Sequence, residues 1–104
     1  MKLYLDDIRN IGDDWIIVRS YDEFVEFITN NDMPEIISFD HDLGLETINN
    51  VVVEKNGYDA CKWLVEYCAD NELKLPDWQI HSANPVGRKN INMYFINAKK
   101  HLNI

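Results

Sequence analysis

The sequence predicts an α/β domain: about four mainly parallel strands in one sheet, with about three helices packed on its faces. Three observations carry that expectation. Short apolar runs alternate with stretches of helical periodicity, the pattern of βαβ units. Helix-start signals follow the second and fourth of these runs. Three of the runs end in clusters of aspartate, histidine or serine, and in an open parallel sheet chemistry sits just past the carboxyl ends of the strands.

Taken in order, Lys2-Leu-Tyr-Leu opens a short apolar strand that ends at Asp6-Asp7. Ile8 to Asp14, holding Arg9, Asn10 and Gly12, is a connector too short for an ordinary crossover helix. Trp15-Ile-Ile-Val18 reads as a second buried strand, and Ser20-Tyr-Asp-Glu23 after it as a capping box. Phe24, Phe27 and Ile28 share one face of the helix that follows, which ends within Asn30 to Pro34. Glu35 to Phe39 is the third strand and delivers Asp40-His41-Asp42-Leu43-Gly44. Leu45 to Asn56 is ambiguous. A small β-hairpin near 46–53 fits, turning at Asn49-Asn50, either as a lid or substrate wall or as an edge ribbon with a packing role. Gly57-Tyr-Asp59 starts a second helix with the stripe Cys61, Leu64, Val65 and Cys68. Trp78-Gln-Ile80 is the fourth strand, ending in His81-Ser82-Ala83-Asn84-Pro85. The last helix carries Ile91, Phe95, Ala98 and Leu102 on one face.

The bounds are consistent with that reading. The 104 residues suffice for one core, so a single domain over 1–104 is expected. Apolar content of 46% fits a folded chain. No apolar run approaches the ~20 residues of a membrane span and no signal peptide precedes the first strand, so we expect a cytoplasmic protein with no membrane partner. Cys61 and Cys68 fall on one helix about 10 Å apart along its axis, beyond disulfide reach, and read as reduced core thiols. The net charge of −8, from 10 basic and 18 acidic side chains, excludes nonspecific binding of bulk duplex nucleic acid. A small phosphorylated ligand or a nucleic-acid end remains a fitting partner. The exposed edge of the second strand allows either a monomer or a homodimer.

If the strands are parallel, Asp6, Asp7, Asp40, His41, Asp42, His81, Ser82 and Asn84 gather on one rim. Four carboxylates there repel one another, and a divalent cation relieves the cost. Mg²⁺ or Mn²⁺ suits the donors, with Asp6, Asp7, Asp40 and Asp42 as metal ligands. The competing reading of Asp40 to Asp42 is a solvated loop capping the next helix. Imidazoles exchange protons near neutral pH, which makes His81 the natural proton carrier. Ser82 and Asn84 fit either as donors to phosphoryl oxygens or as caps of the last helix. Arg88 and Arg9 fit either as phosphate contacts or as ordinary ion pairs.

The motifs Leu5-Asp6-Asp7-x-Arg9, Ser38-Phe39-Asp40-His41-Asp42-Leu43-Gly44, Gly57-Tyr58-Asp59 with Trp63-Leu64, and His81-Ser82-Ala83-Asn84-Pro85 with Gly87-Arg88 occur in that order. The set resembles the cyclic-phosphate-processing receiver-like domain family. The resemblance implies a receiver-like (flavodoxin-like) three-layer sandwich adapted to process cyclic phosphates. The wider resemblance is to response-regulator receivers, with Asp6 and Asp7 as the acidic pair, Asp40 as the phosphoacceptor and Ser82 at the switch hydroxyl. The fifth strand and its lysine are missing from the sequence, and His41 and His81 are groups a phosphorelay does not need.

Together these features imply a metal-dependent phosphoesterase acting on a terminal 2′,3′-cyclic phosphate or a cyclic nucleotide. Asp6, Asp7 and Asp40 hold the cation, Asp42 or His41 completes or orients it, and His81 protonates the departing oxygen. Attack comes from water or directly from Asp40. The alternatives are a non-catalytic module that sequesters a phosphorylated ligand or a protein partner, and a phosphoacceptor switch on Asp40.

Overall fold

A computed structural model describes residues 1–48 and 50–104, the side chains at 45–48, 52 and 53 lying outside the description. The elements in chain order are β1 (Lys2–Leu5), β2 (Trp15–Val18), α1 (Tyr21–Asn30), β3 (Ile36–Phe39), β4 (Leu45–Ile48), β5 (Val51–Glu54), α2 (Gly57–Asp70), β6 (Asp77–Ile80) and α3 (Pro85–Leu102). Four of the strands form one parallel sheet in the order β2-β1-β3-β6. β4 and β5 form a separate antiparallel ribbon, with Ile48 opposite Val51. The expected turn between them includes Asn49, which lies outside the described residues; Asn50 adopts φ 65°.

The sheet order decides where the helices go. The β2-α1-β3 and β3-α2-β6 crossovers both advance in the same direction along the sheet, and right-handed connections then place both helices on one face. α3 continues the row, packing against α2. The β1-β2 connection runs the other way, so its helix would cover the opposite face; residues 8–14 form a loop instead. The expected receiver-like α/β fold is present. Of its three layers, the described residues supply the sheet and one helical layer.

The core fills the space between those two layers. Leu3, Leu5, Ile37 and Phe39, alternate residues of the two central strands, pack with Phe24 and Ile28 of α1, Cys61 and Leu64 of α2, and Ile91 and Phe95 of α3. Both cysteines are buried and free; burial raises both thiols, Cys68 to about 11. β2 was expected as a buried strand. It is an edge strand in which Ile16 is 41% exposed and Val18 alone is buried, because an edge position lacks a neighbour on one side. Leu102, expected on the core face of α3, is 51% exposed at the helix end, where it borders an open depression shared with Val65 and Ala69 of α2 and does not fill the core.

Helix starts are held by side chains that accept from orphan amides. Ser20 accepts from Glu23 N, while the Glu23 carboxylate takes the Arg19 amide and not that of Ser20, so the box closes one residue early. α2 has a full reciprocal box between Asn56 and Asp59, which the sequence reading passed over. Asn84 caps α3 through Gly87 N, with Pro85 as the first helical residue.

Gly57 ties α2 to the end of β3. Its amide donates to His41 O at 2.7 Å, and the backbones come so close that a Cβ at 57 would collide with the Asp40 carbonyl. Gly57→Ala is therefore expected to cost about 1–3 kcal/mol as the strand end is pushed aside. Urea unfolding measures it, and an unchanged midpoint would contradict the close approach.

Candidate functional site

Register places the site. Leu5 lies opposite Phe39, and Phe39 opposite Ile80, all facing the helices. One residue further along three adjacent parallel strands, Asp6, Asp40 and His81 therefore emerge in a row on the other face. Their ligand atoms lie within 4.8 Å of one another.

Asp6 is 1% exposed, and both of its carboxylate oxygens have partners, with a second acceptor site left on Oδ2. Its Oδ1 accepts from the amides of Ile8 (2.8 Å) and Arg9 (2.7 Å), and its Oδ2 faces His81 Nε2 at 2.9 Å. Burial pushes this carboxyl up, but the two amides and His81 together bring it below the ordinary value. Arg19 braces the same loop, donating to the carbonyls of Asp6 and Arg9 and to Asn10 Oδ1.

His81 is clamped on both edges and one face. Its ring stacks on Tyr4 at 4.1 Å and 8°. Gln79 Nε2 donates to Ser38 Oγ (3.2 Å), which lies 2.7 Å from His81 Nδ1, and the ionised Asp6 Oδ2 beside Nε2 can only accept. The proton of a neutral ring then sits on Nε2, directed at Asp6. Arg9 Nη1 reaches the His81 carbonyl at 3.4 Å.

Asp40 is the strained member of the trio. Burial first, and the Asp6 charge second, raise its carboxyl above the ordinary value; the His41 amide (2.9 Å), His81 and the Ser82 hydroxyl only partly offset this. His41 turns away toward α3. Its Nδ1 lies 2.9 Å from Asp42 Oδ1 and 3.4 Å from Asn84 Nδ2, and its ring occupies the space that a Cβ on Gly87 would fill. Gly44, at φ +71°, turns the chain beside the Asp7 carboxylate.

A depression of about 360 Å³ opens here, lined by Asp6, Asp7, Ile8, Arg9, Asp40, Asp42, Gly44, Ser82 and Ala83. The structure thus brings together Asp6, Asp7, Arg9, Asp40, Asp42 and Ser82 around one space, with His81 behind Asp6. His41 and Asn84 form a pair at its α3 side. Ser82 is buried and accepts from the Asn84 amide (3.1 Å), while Asn84 Oδ1 is spent on its cap. Arg88 is not on this rim; it lines a separate groove between β6 and α3.

The sequence reading missed the residues that hold the trio: Tyr4, Arg19, Gln79 and, as a partner of His81, Ser38. A signal existed for Ser38, a hydroxyl in the middle of an apolar strand that must bond something when buried. No local pattern marks Arg19.

Fold and site define a receiver-type α/β domain in which the acidic pair and the third-strand aspartate are retained and histidines are added. The chain belongs to the cyclic-phosphate processing receiver domain family, which matches residues 1–97. No curated protein and no solved structure matches the chain significantly.

The two carboxylates should respond oppositely to neutralisation in metal-free protein. Asp40 has a raised folded pKa, so its charge costs stability above that pKa and costs nothing below the unfolded value. Asp40→Asn is expected to raise the thermal midpoint by a few degrees at pH 7, the gain vanishing as pH falls through the carboxylate range. Asp6 has a depressed folded pKa, so its contribution is present above the unfolded value and lost as pH falls through the folded one. Asp6→Asn is expected to lower the midpoint at pH 7. Equal shifts of one sign in thermal melts would contradict the assignment.

Proposed function

We propose that the protein is a metal-dependent phosphoesterase that opens a cyclic phosphate. The observation that carries this reading is the juxtaposition of Asp6, Asp40 and His81 at one end of the sheet, beside a depression walled by two further aspartates. The donor set fits a hard divalent cation such as Mg²⁺ or Mn²⁺. Burial and the Asp6 charge disfavour the ionised Asp40 carboxyl, which a cation would relieve, and Asp7 and Asp42 border the same space. Asp6, Asp7 and Asp40 would hold the ion, with Asp42 completing or orienting the set. Bound there, the ion polarises the phosphoryl group and lowers the pKa of an attacking water.

The chain's own residues supply the rest. Asp6 is held rigid by two amides and His81, so it enters the reaction already oriented. His81 would act as the imidazolium, with Nδ1–H donating to Ser38 Oγ and Nε2–H directed at the acidic cluster. We assign the Nε2 proton of that cation to the departing ribose oxygen, which leaves a neutral ring whose Nδ1–H is held on Ser38. Arg9 and Ser82 line the depression and would contact phosphoryl oxygens, Ser82 by turning its hydroxyl from Asp40. His41, paired with Asp42, orients that carboxylate. Asp40 is also accessible for direct attack, which a trapped beryllofluoride adduct would report.

One observation favours a second reading. Both His81 nitrogens are already engaged, as they would be in a module that binds a phosphorylated ligand without turning it over.

Purified protein incubated with a panel of cyclic phosphates in Mg²⁺, Mn²⁺ or EDTA separates the two. Ring opening is expected in metal alone, and a loss of at least about 100-fold in Asp40→Ala and His81→Ala. Ligand binding without turnover across the panel would sink the hydrolase in favour of the binding module.

A further inference from the structure

The charges of this chain are segregated. All 18 acidic residues lie at or before Asp77, whereas Arg88, Lys89, Lys99 and Lys100 follow it with no carboxylate among them. All four are on α3 and exposed. Lys99 and Lys100 suit the negative end of the helix, but Arg88 and Lys89 sit in its first turns, where the backbone dipole opposes cations and no acid compensates. Among the described residues, neither Arg88 nor Lys89 makes a side-chain hydrogen bond or an ion pair. They flank a groove of about 380 Å³ between β6 and α3, lined by Trp78, Gln79, Ile80, Arg88, Lys89 and Asn92. Its aromatic wall is the half-buried Trp78, held by Asn92 (3.0 Å) with Lys99 over the ring at 5.7 Å.

We propose that this groove carries a single-stranded nucleic-acid tail, so that the substrate is an oligonucleotide end and not a free cyclic nucleotide. The inference rests on the cyclic-phosphate reading of the neighbouring rim. β6, which forms one wall of the groove, ends at Ile80 and leads directly into His81 and Ser82 of the site. A strand whose terminal phosphate lies at Asp40 and which leaves toward β6 meets four cations in succession. The two cation pairs stand about 16 Å apart along α3, enough for several backbone phosphates of one chain. Elsewhere the surface is acidic, which confines a polyanion to this track. A cation track beside an aromatic ring is the arrangement that binds single strands without reading sequence.

The test uses a labelled single-stranded oligoribonucleotide ending in a 2′,3′-cyclic phosphate, with binding followed by anisotropy in EDTA, where turnover is silent. Three to four neutralised phosphates predict a log-affinity against log-salt slope of about −2 to −3, reduced by about 1.4 in Lys89→Glu/Lys99→Glu. In Mn²⁺ the same variant should raise KM for the oligonucleotide about tenfold and leave kcat/KM for a cyclic mononucleotide unchanged. A slope near zero, or one the substitutions do not alter, overturns the inference while mononucleotide turnover leaves the enzyme standing. Polyglutamate bound as tightly as the oligonucleotide overturns it in favour of an acidic protein partner. An intact slope with no turnover of either substrate overturns the enzyme and supports the groove.

Discussion

Everything in this molecule depends on the register of three adjacent parallel strands. Leu5, Phe39 and Ile80 are held level by the β1-β3-β6 ladder, and the residue after each faces away from the core. Asp6, Asp40 and His81 are thereby delivered side by side from positions far apart in the chain. A slip of one residue in any strand would turn its polar end toward Phe39 and Phe95. Loop and helix devices keep that row in place: the amides of Ile8 and Arg9 on Asp6, and glycines at 57 and 87 where a side chain would push the β3 end away.

The two carboxylates of the row are treated differently by their surroundings, and the proposed chemistry rests on that difference. Asp6 is held ionised by two amides on Oδ1 and by His81 on Oδ2, which keeps one acceptor site; Asp40 is partly buried beside it, and burial and the Asp6 charge disfavour its ionised form. Two like charges at this distance, with Asp7 and Asp42 nearby, leave an electrostatic debt that a cation or a bound proton would relieve. Charges arranged at a cost to stability mark a functional site more clearly than those arranged for structure. The chain belongs to the cyclic-phosphate processing receiver family, and the substrate class proposed for this site rests on that membership.

Much of this was legible in the sequence because strand ends are marked locally. The runs Lys2-Leu-Tyr-Leu and Glu35 to Phe39, each followed by aspartates, located β1, β3 and the acidic rim without tertiary information. Asn84-Pro85 located the start of α3 by its capping chemistry alone. What escaped depends on neighbours. Trp15-Ile-Ile-Val18 is as apolar as a central strand, and only the sheet order shows it to be an edge. The single helical layer follows from crossover direction, which apolar periodicity does not encode. Arg88, four residues after Asn84 by way of Pro85, Val86 and Gly87, fits either a phosphate contact or an ion pair in the sequence; the helix carries it around to the β6 groove. Likewise the Ser38 and Gln79 contacts that hold the His81 ring join strands forty residues apart.

The central claim is that Asp6 and Asp40 form a cation site. Anomalous diffraction from crystals soaked in Mn²⁺ tests it most directly. The account predicts one strong peak between the two carboxylates, within bonding distance of both, and its loss in Asp40→Asn. A peak elsewhere on the acidic surface, or none at saturating Mn²⁺, would contradict it.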